Sequence, residues 1–111
     1  MAFTDMAFPK HYVAGGVYVK ELILEAVGDE VLGHEHEFPH LSLVARGTVR
    51  VTVDGVSTEY TAPTALTVAA GKRHSILAVT SNCLWYCLHA VPEGLRGEDL
   101  LDESVKVKRA Q

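Results

Sequence analysis

The sequence predicts an all-β protein built from antiparallel strands, and two observations support this prediction. Val, Thr, Leu and Tyr recur in short runs, which is the composition that suits a half-buried pleated surface. Gly, Pro and Asp separate these runs, as tight turns require. Seven or eight short strands in a chain of 111 residues are typical of a sandwich or a barrel.

The predicted strands follow one another closely along the chain. They cover residues 16–27, 40–53, 57–62, 64–70, 74–80 and 83–91. The second of these stretches breaks near Arg46-Gly47, and Gly47 and Gly71 are predicted to lie in tight turns. Asp54-Gly55 predicts a two-residue hairpin, because this pair tolerates the positive φ angles of a type I′ turn.

The length of the chain fits one domain. We predict a single domain over residues 1–111, with its core at about 16–92 and a C-terminal tail at 93–111. The tail is charged, so it is expected to be exposed. A short helix is predicted within it at residues 98–104.

Charge and cysteine content narrow the classes of partner. Ten basic and fourteen acidic residues give a net charge of −4, and without a long basic run a nucleic-acid partner is not expected. Neither a signal peptide nor an apolar run of roughly 20 residues is evident, so we expect no membrane partner. Cys83 and Cys87 on one strand would lie about 13 Å apart, too far for a disulfide. Two reduced thiols and a cytoplasmic location are the expectation.

The segment HEHEFPH, residues 34–40, contains half of the six histidines. On a strand, alternate side chains share a face, so His34 and His36 are expected to point the same way. His40 has the same parity. Three converging imidazoles suit Fe, Ni, Cu, Co or Zn better than Mg or Ca, which prefer oxygen. The alternative interpretation is a surface pair of histidines that binds nothing.

The spacing around these histidines resembles the first sequence motif of the cupin superfamily. Gly28, His34, His36, His40 and Gly47 have the intervals of that motif. His40 stands where the family usually has Glu. The motif therefore matches in spacing throughout and departs in one residue type.

A second cupin motif is matched in part. Its positions here are Pro63, Ala69, Gly71, His74 and Ala78. Gly71 and His74 match, and the other three depart. The short gap between the motifs, residues 48–62, is similar to that of small microbial cupins. The chain thus resembles a small single-domain cupin of the cupin-2 type.

The resemblance implies an antiparallel jelly-roll barrel with a metal held inside it. Its ligands would be His34, His36, His40 and His74. His40 matches by position only. The implied cofactor is a divalent transition metal, with Fe favoured and Cu, Ni, Zn and Co left open. Metal affinity should fall below about pH 6, because protonated imidazole cannot bind a metal.

Three functions are consistent with such a site. The first is an Fe- or Cu-dependent oxygenase or dioxygenase. The second is a non-oxidative isomerase or lyase that uses the metal as a Lewis acid. The third is a cupin that binds a small ligand without turnover. Neutral ligands leave the charge of the cation uncompensated, which favours a small anionic or chelating substrate. All-nitrogen ligation favours the oxygenase, although the fold alone does not decide.

The last predicted strand has two possible inward faces. Cys83, Trp85, Cys87 and His89 share one parity, and the residues between them share the other. If the first set faces inward, Trp85 and His89 line the pocket, and His89 can act as a base. No partner for His11 is visible in the sequence.

A homodimer is also predicted. The apolar stretch at residues 15–24 would form an edge strand, and an exposed apolar edge is usually covered by another chain or segment.

Overall fold

The computed structural model describes residues 6–7, 10–34, 40–68, 71–91 and 107–108. Every regular element within these ranges is a β-strand. In chain order the strands are β1 (Met6–Ala7), β2 (Lys10–Ala14), β3 (Val17–Leu24), β4 (Glu30–His34), β5 (His40–Arg46), β6 (Thr48–Val53), β7 (Val56–Thr61), β8 (Thr64–Val68), β9 (His74–Ala78), β10 (Cys83–Ala90) and β11 (Val107–Lys108).

The strands form two antiparallel sheets. The first has the order β1-β11-β4-β9-β6-β7, and the second has the order β2-β3-β10-β5-β8. Most neighbours within a sheet are distant in sequence, which is the jelly-roll style of connection. The predicted all-β, antiparallel fold is confirmed.

Alternating burial shows which face of each strand points between the sheets. In β3 and β9 every second residue is buried, and in β10 the same alternation runs from Cys83 to Cys87. The alternation brings Leu22, Ile76 and Trp85 into one core with both sheets contributing. Trp85 is completely buried, and it lies between Leu22 of β3 and Val44 of β5 in the sheet register.

The predicted turns are present. Asp54 and Gly55 have φ angles of 49° and 81°, the positive pair that a type I′ hairpin needs. Gly47 joins β5 to β6 with a φ of 85°. These local features depend on a few residues each, and the sequence was sufficient to place them.

The ends of the chain differ from the prediction. Residues 10–14 form β2, a strand not predicted from the sequence, which pairs along β3. The prediction of an edge strand at 15–24 is therefore wrong, because β3 lies between β2 and β10. Val107–Lys108 of the tail pair with both β1 and β4, so this part of the tail belongs to a sheet. The helix predicted at 98–104 lies outside the described residues. Within the described ranges, no helix has the length and hydrophobicity needed to cross a membrane.

Candidate functional site

Two of the predicted metal ligands occupy facing positions on neighbouring strands. His34 ends β4, His74 begins β9, and the two are directly opposite in the antiparallel ladder. Residues paired in this way have Cβ atoms about 4.5–5.5 Å apart. The structure therefore brings together one histidine from each of the two sequence motifs.

A β-bulge makes this pairing possible. Val31 is opposite Ile76, but the register shifts before His34 is reached. The shift adds one residue to β4, so that positions 31 and 34 fall in line with Ile76 and His74, which are both buried. Bulges are frequent beside functional sites, because they re-aim the residues that follow them.

His74 is held in the form that a metal ligand takes. Its side chain is 1% exposed, and burial lowers the pKa of the imidazole; the hydrogen bond to the Lys72 backbone opposes this shift, and the charge of Lys20 adds a smaller lowering. The ring Nδ1 donates a hydrogen bond to the carbonyl oxygen of Lys72 at 3.2 Å. Because a carbonyl can only accept, the lone pair resides on the buried Nε2. A backbone acceptor on the other ring nitrogen is the usual arrangement for a metal-binding histidine.

The third predicted ligand lies in the opposite sheet. His40 begins β5, where it pairs with Val68. It belongs to the same alternation as Ser42 and Val44, which are buried. The backbone thus places position 40 at the start of β5, two residues before the buried Ser42.

The complete four-histidine site remains a prediction. Residue 36 lies outside the described residues, as do the side chains at positions 34 and 40. Among the side chains that are described, no group of three or more His, Cys, Asp or Glu residues could hold a metal ion. Of the four predicted ligands, only His74 has a side chain that the structure describes.

The burial of alternate residues shows which face of β10 points inward. Cys83, Trp85 and Cys87 are buried, and His89 is half-buried on the same alternation. Both cysteines are free thiols, as predicted. The indole Nε1 of Trp85 donates to the Sγ of Cys87 at 3.1 Å, and the hydroxyl of Ser42 donates to the same sulfur at 3.8 Å.

His89 lies in an aromatic cluster at the end of this sheet. Its ring centroid is 5.0 Å from that of Tyr18, and the Tyr18 hydroxyl is hydrogen-bonded to His11 Nδ1. His11, for which the sequence showed no partner, is therefore paired with a buried phenol. The suggested role of His89 as a base stays a prediction.

Lys20 is a buried charged residue that the sequence did not reveal. It lies in β3, its side chain is 3% exposed, and it is opposite Cys87 in the sheet register. The only indication in the sequence is that Lys20 and Leu22 are two residues apart, so on a strand they lie on the same face. Glu21 shares the other parity with Ile23. Each face of β3 therefore has one charged residue, and the sequence does not show which face is buried. In the structure Glu21 points outward and accepts a hydrogen bond from the Tyr86 hydroxyl at 2.9 Å.

Charged side chains surround a depression next to His74. The depression has a volume of about 280 Å³ and is lined by Thr52, Asp54, Gly55, Arg73, His74 and Ser75. At its rim, Lys72 Nζ lies 2.9 Å from an Asp54 carboxylate oxygen, and this contact raises the pKa of Lys72. Both groups are half-exposed, so solvent screens the pair and it contributes little stability.

Comparisons with known proteins identify the fold. No protein-family model matches the chain, and no curated protein is similar to it. Solved structures do match. KdgF from a Halomonas species aligns with a TM-score of 0.68 and 16% identity, over 88% of this chain and 86% of that one.

Two further structures agree with the first. A cupin superfamily protein from Desulfitobacterium hafniense has a TM-score of 0.65 and 18% identity, over 78% of each chain. A cupin-2 domain protein from Shewanella frigidimarina has a TM-score of 0.61 and 18% identity, over 74% of this chain and 78% of that one. At these identities the likeness concerns the fold, and the chain accordingly has the fold of a small cupin.

Proposed function

We propose that this protein is a metal-binding cupin that acts as an Fe- or Cu-dependent oxygenase on a small chelating or anionic organic molecule. The proposed ligands are His34, His36, His40 and His74. The observation that carries the proposal is the facing pair of His34 and His74 on β4 and β9. Burial, which lowers the pKa of the His74 imidazole, and the hydrogen bond between its Nδ1 and the Lys72 carbonyl add to it.

The residues of the chain fit a late first-row metal. Imidazole nitrogen is a ligand that Fe, Cu, Ni, Co and Zn share, and the hydrogen bond from His74 to Lys72 would hold the ring in one orientation. Bound Fe or Cu would supply the one-electron chemistry that reaction with O₂ requires. Without a carboxylate in the ligand set, proton abstraction at the metal is less favoured than redox chemistry.

Apolar core side chains would shield a substrate bound at the proposed site from water. Leu22, Val44 and Trp85 form an apolar wall on the five-stranded sheet. Such a wall excludes water, which strengthens the electrostatic interactions inside the barrel. Ser42 and Lys20 are buried polar residues on the same inward face.

Metal content and oxygen consumption test the proposal. Protein purified without a nickel column is expected to contain about one Fe or Cu per chain, measured by elemental analysis. With a panel of β-diketones, flavonols, thiols and catechol-like acids, we expect at least one compound to give metal-dependent oxygen uptake at an oxygen electrode. Metal content without oxygen uptake would favour a Lewis-acid enzyme or a binding protein. Absence of metal from every preparation would contradict the proposal.

We also propose that the protein is a homodimer. The outward face of the five-stranded sheet is rich in apolar side chains, and Tyr12, Val17 and Leu41 on this face are each at least 40% exposed. A second copy would remove these groups from water. Size-exclusion chromatography with light scattering is expected to give twice the chain mass of 12.1 kDa. A monomer at micromolar concentration would contradict this prediction.

A further inference from the structure

We propose that the depression at the end of β6 and β9 binds the phosphate group of a small phosphate monoester, with Arg73 and Ser75 as donors. Both residues line this depression, whose volume is about 280 Å³. Ligand pockets of roughly 300 Å³ are at the lower end of the usual range, so a small ligand is expected. The inference goes beyond the proposed function, because neither donor is a proposed metal ligand.

The hydroxyl groups of the depression lie on the outer face of the six-stranded sheet. Ser75 of β9 is opposite Thr52 of β6, and both are half-buried. Their neighbours Ile76 and Val51 belong to the buried core. Because side chains alternate along a strand, Ser75 and Thr52 point away from the interior.

A positive charge without a partner lies beside these hydroxyls. The Asp54 N–H donates to the Arg73 carbonyl at 3.3 Å, so the two residues are adjacent at the ends of the strands. The Asp54 carboxylate is already paired with Lys72 at 2.9 Å. Arg73 is exposed, and its guanidinium forms no ion pair or hydrogen bond within the part of the chain that the structure describes. One positive charge is thus left over, in a chain whose net charge is −4.

The depression is open to a ligand from solvent. Thr52 Oγ1 shares a hydrogen bond with Ser57 Oγ at 2.8 Å, whereas the Ser75 hydroxyl has no hydrogen-bond partner among the described residues. At the turn, a Cβ added to Gly55 would meet no described atom within 4 Å. A ligand can therefore reach the hydroxyl and the guanidinium without displacing a side chain.

A phosphate group matches these donors in geometry and charge. The planar guanidinium can bond two phosphate oxygens at once, and a serine hydroxyl can donate to a third. A phosphate monoester has a charge of about −1.5 to −2 at pH 7, so the unpaired charge of Arg73 attracts it. A carboxylate has fewer acceptor oxygens and roughly half that charge, so it should bind less tightly.

Matched phosphate, carboxylate and alcohol probes test the inference. Protein labelled with ¹⁵N is titrated with glycerol 3-phosphate, glycerate and glycerol at constant ionic strength, and the backbone amide NMR signals are followed. The phosphate is expected to shift the signals of residues 52–55 and 73–75 to saturation, and to bind roughly ten times more tightly than glycerate. Glycerol should cause no shift. Shifts that do not saturate with the phosphate, or equal binding of phosphate and carboxylate, would overturn the inference.

Three arginine variants isolate the contribution of Arg73. Arg73→Gln should lower the affinity for glycerol 3-phosphate at least about tenfold. Arg73→Lys keeps the charge but lacks the fork of N–H groups, so it should retain part of the affinity. Arg50→Gln is the matched control, because Arg50 lies on the same outer face but is paired with Glu59 at 2.9 Å. Wild-type affinity in Arg73→Gln, or an equal loss in Arg50→Gln, would show that Arg73 is not the donor.

Asp54→Asn should change the affinity in the opposite direction. The substitution removes a negative charge from the lining of the depression, and Asn tolerates the φ of 49° at this position. The affinity for glycerol 3-phosphate is expected to rise roughly two- to fivefold, and the gain should be larger at low salt. An affinity that is unchanged or lower would contradict an anion site.

A titration after metal removal separates this site from the proposed metal site. The protein is dialysed first against a chelator and then against buffer, and glycerol 3-phosphate is added again. The affinity should stay within about twofold, because Arg73 and Ser75 act without a metal. Binding that disappears with the metal would show that phosphate coordinates the metal instead, and the inference would be wrong. A preparation without metal would contradict the proposed function and leave this test intact.

Discussion

Replacing His74 by alanine is expected to lower the affinity of the protein for Fe(II) or Zn(II) by at least about a hundredfold. His74 is the proposed ligand on β9, and its ring is buried, neutral and oriented by the carbonyl of Lys72. No other histidine in the described residues of β9 could take its place. The measurement is a competition against a chromophoric chelator at pH 7.5, with metal content checked after dialysis.

A second histidine variant serves as the control for this loss. His11→Ala removes an imidazole that contacts Tyr18 and is not a proposed ligand, so its metal affinity should match the wild type. Circular dichroism should show that His74→Ala keeps its strand content, because the lost affinity must not result from unfolding. Wild-type metal content in a folded His74→Ala protein would contradict the site, and so would oxygen uptake that survives this substitution.

Replacing Gly47 by alanine is expected to reduce the free energy of unfolding by about 2–5 kcal/mol. Two costs contribute. A φ of +85° is unfavourable for alanine by about 1–2 kcal/mol. An added Cβ would also lie 2.6 Å from Cys83 Sγ and 2.9 Å from Thr80 Oγ1, and such overpacking costs about 1–3 kcal/mol more. Urea denaturation of the metal-free protein measures the change.

Gly55→Ala separates the two costs. Gly55 has a φ of +81°, but a Cβ added there meets no atom within 4 Å. Only the backbone cost of about 1–2 kcal/mol should remain. Equal losses for the two variants would mean that the close approach of Gly47 to Cys83 does not limit packing at this turn.

Local features of the fold were predictable because few residues determine them. Asp54-Gly55 specifies its own hairpin, since the dihedral angles that it tolerates match one turn type. The positive φ of Gly47 follows from its place between two extended runs. The spacing of His34 and His74 within two motifs predicted one shared site, and the structure pairs their backbone positions on neighbouring strands.

The facing of side chains was harder to predict, because it depends on register. A one-residue shift moves every following side chain to the other face, and β4 contains such a shift before His34. Nothing in the composition of Leu32-Gly33 requires it. Lys20 was missed for a related reason, since both parities of β3 contain apolar residues and one charge. Only the pairing of β3 with its neighbours decides which charge is buried.

The short strands at the ends of the chain were not predicted, because their pairing is distant in sequence. β11 has two residues and lies between β1 and β4, so propensity alone could not identify it. β2 has one sheet neighbour and mostly exposed side chains. Its sequence therefore lacks the regular alternation that marks a half-buried strand.

The order of strands has a consequence for biosynthesis. In the five-stranded sheet, β3 and β5 are joined through β10, and in the other sheet β4 is joined to β6 through β9. Neither sheet can form completely until its central strand, β10 or β9, has left the ribosome. A nascent chain that ends before residue 74 therefore has His34 and Lys20 in strands that still lack their central neighbours. The proposed metal and substrate could bind only after β9 and β10 have been synthesised, and until then the early strands lack the neighbours that would protect them from aggregation.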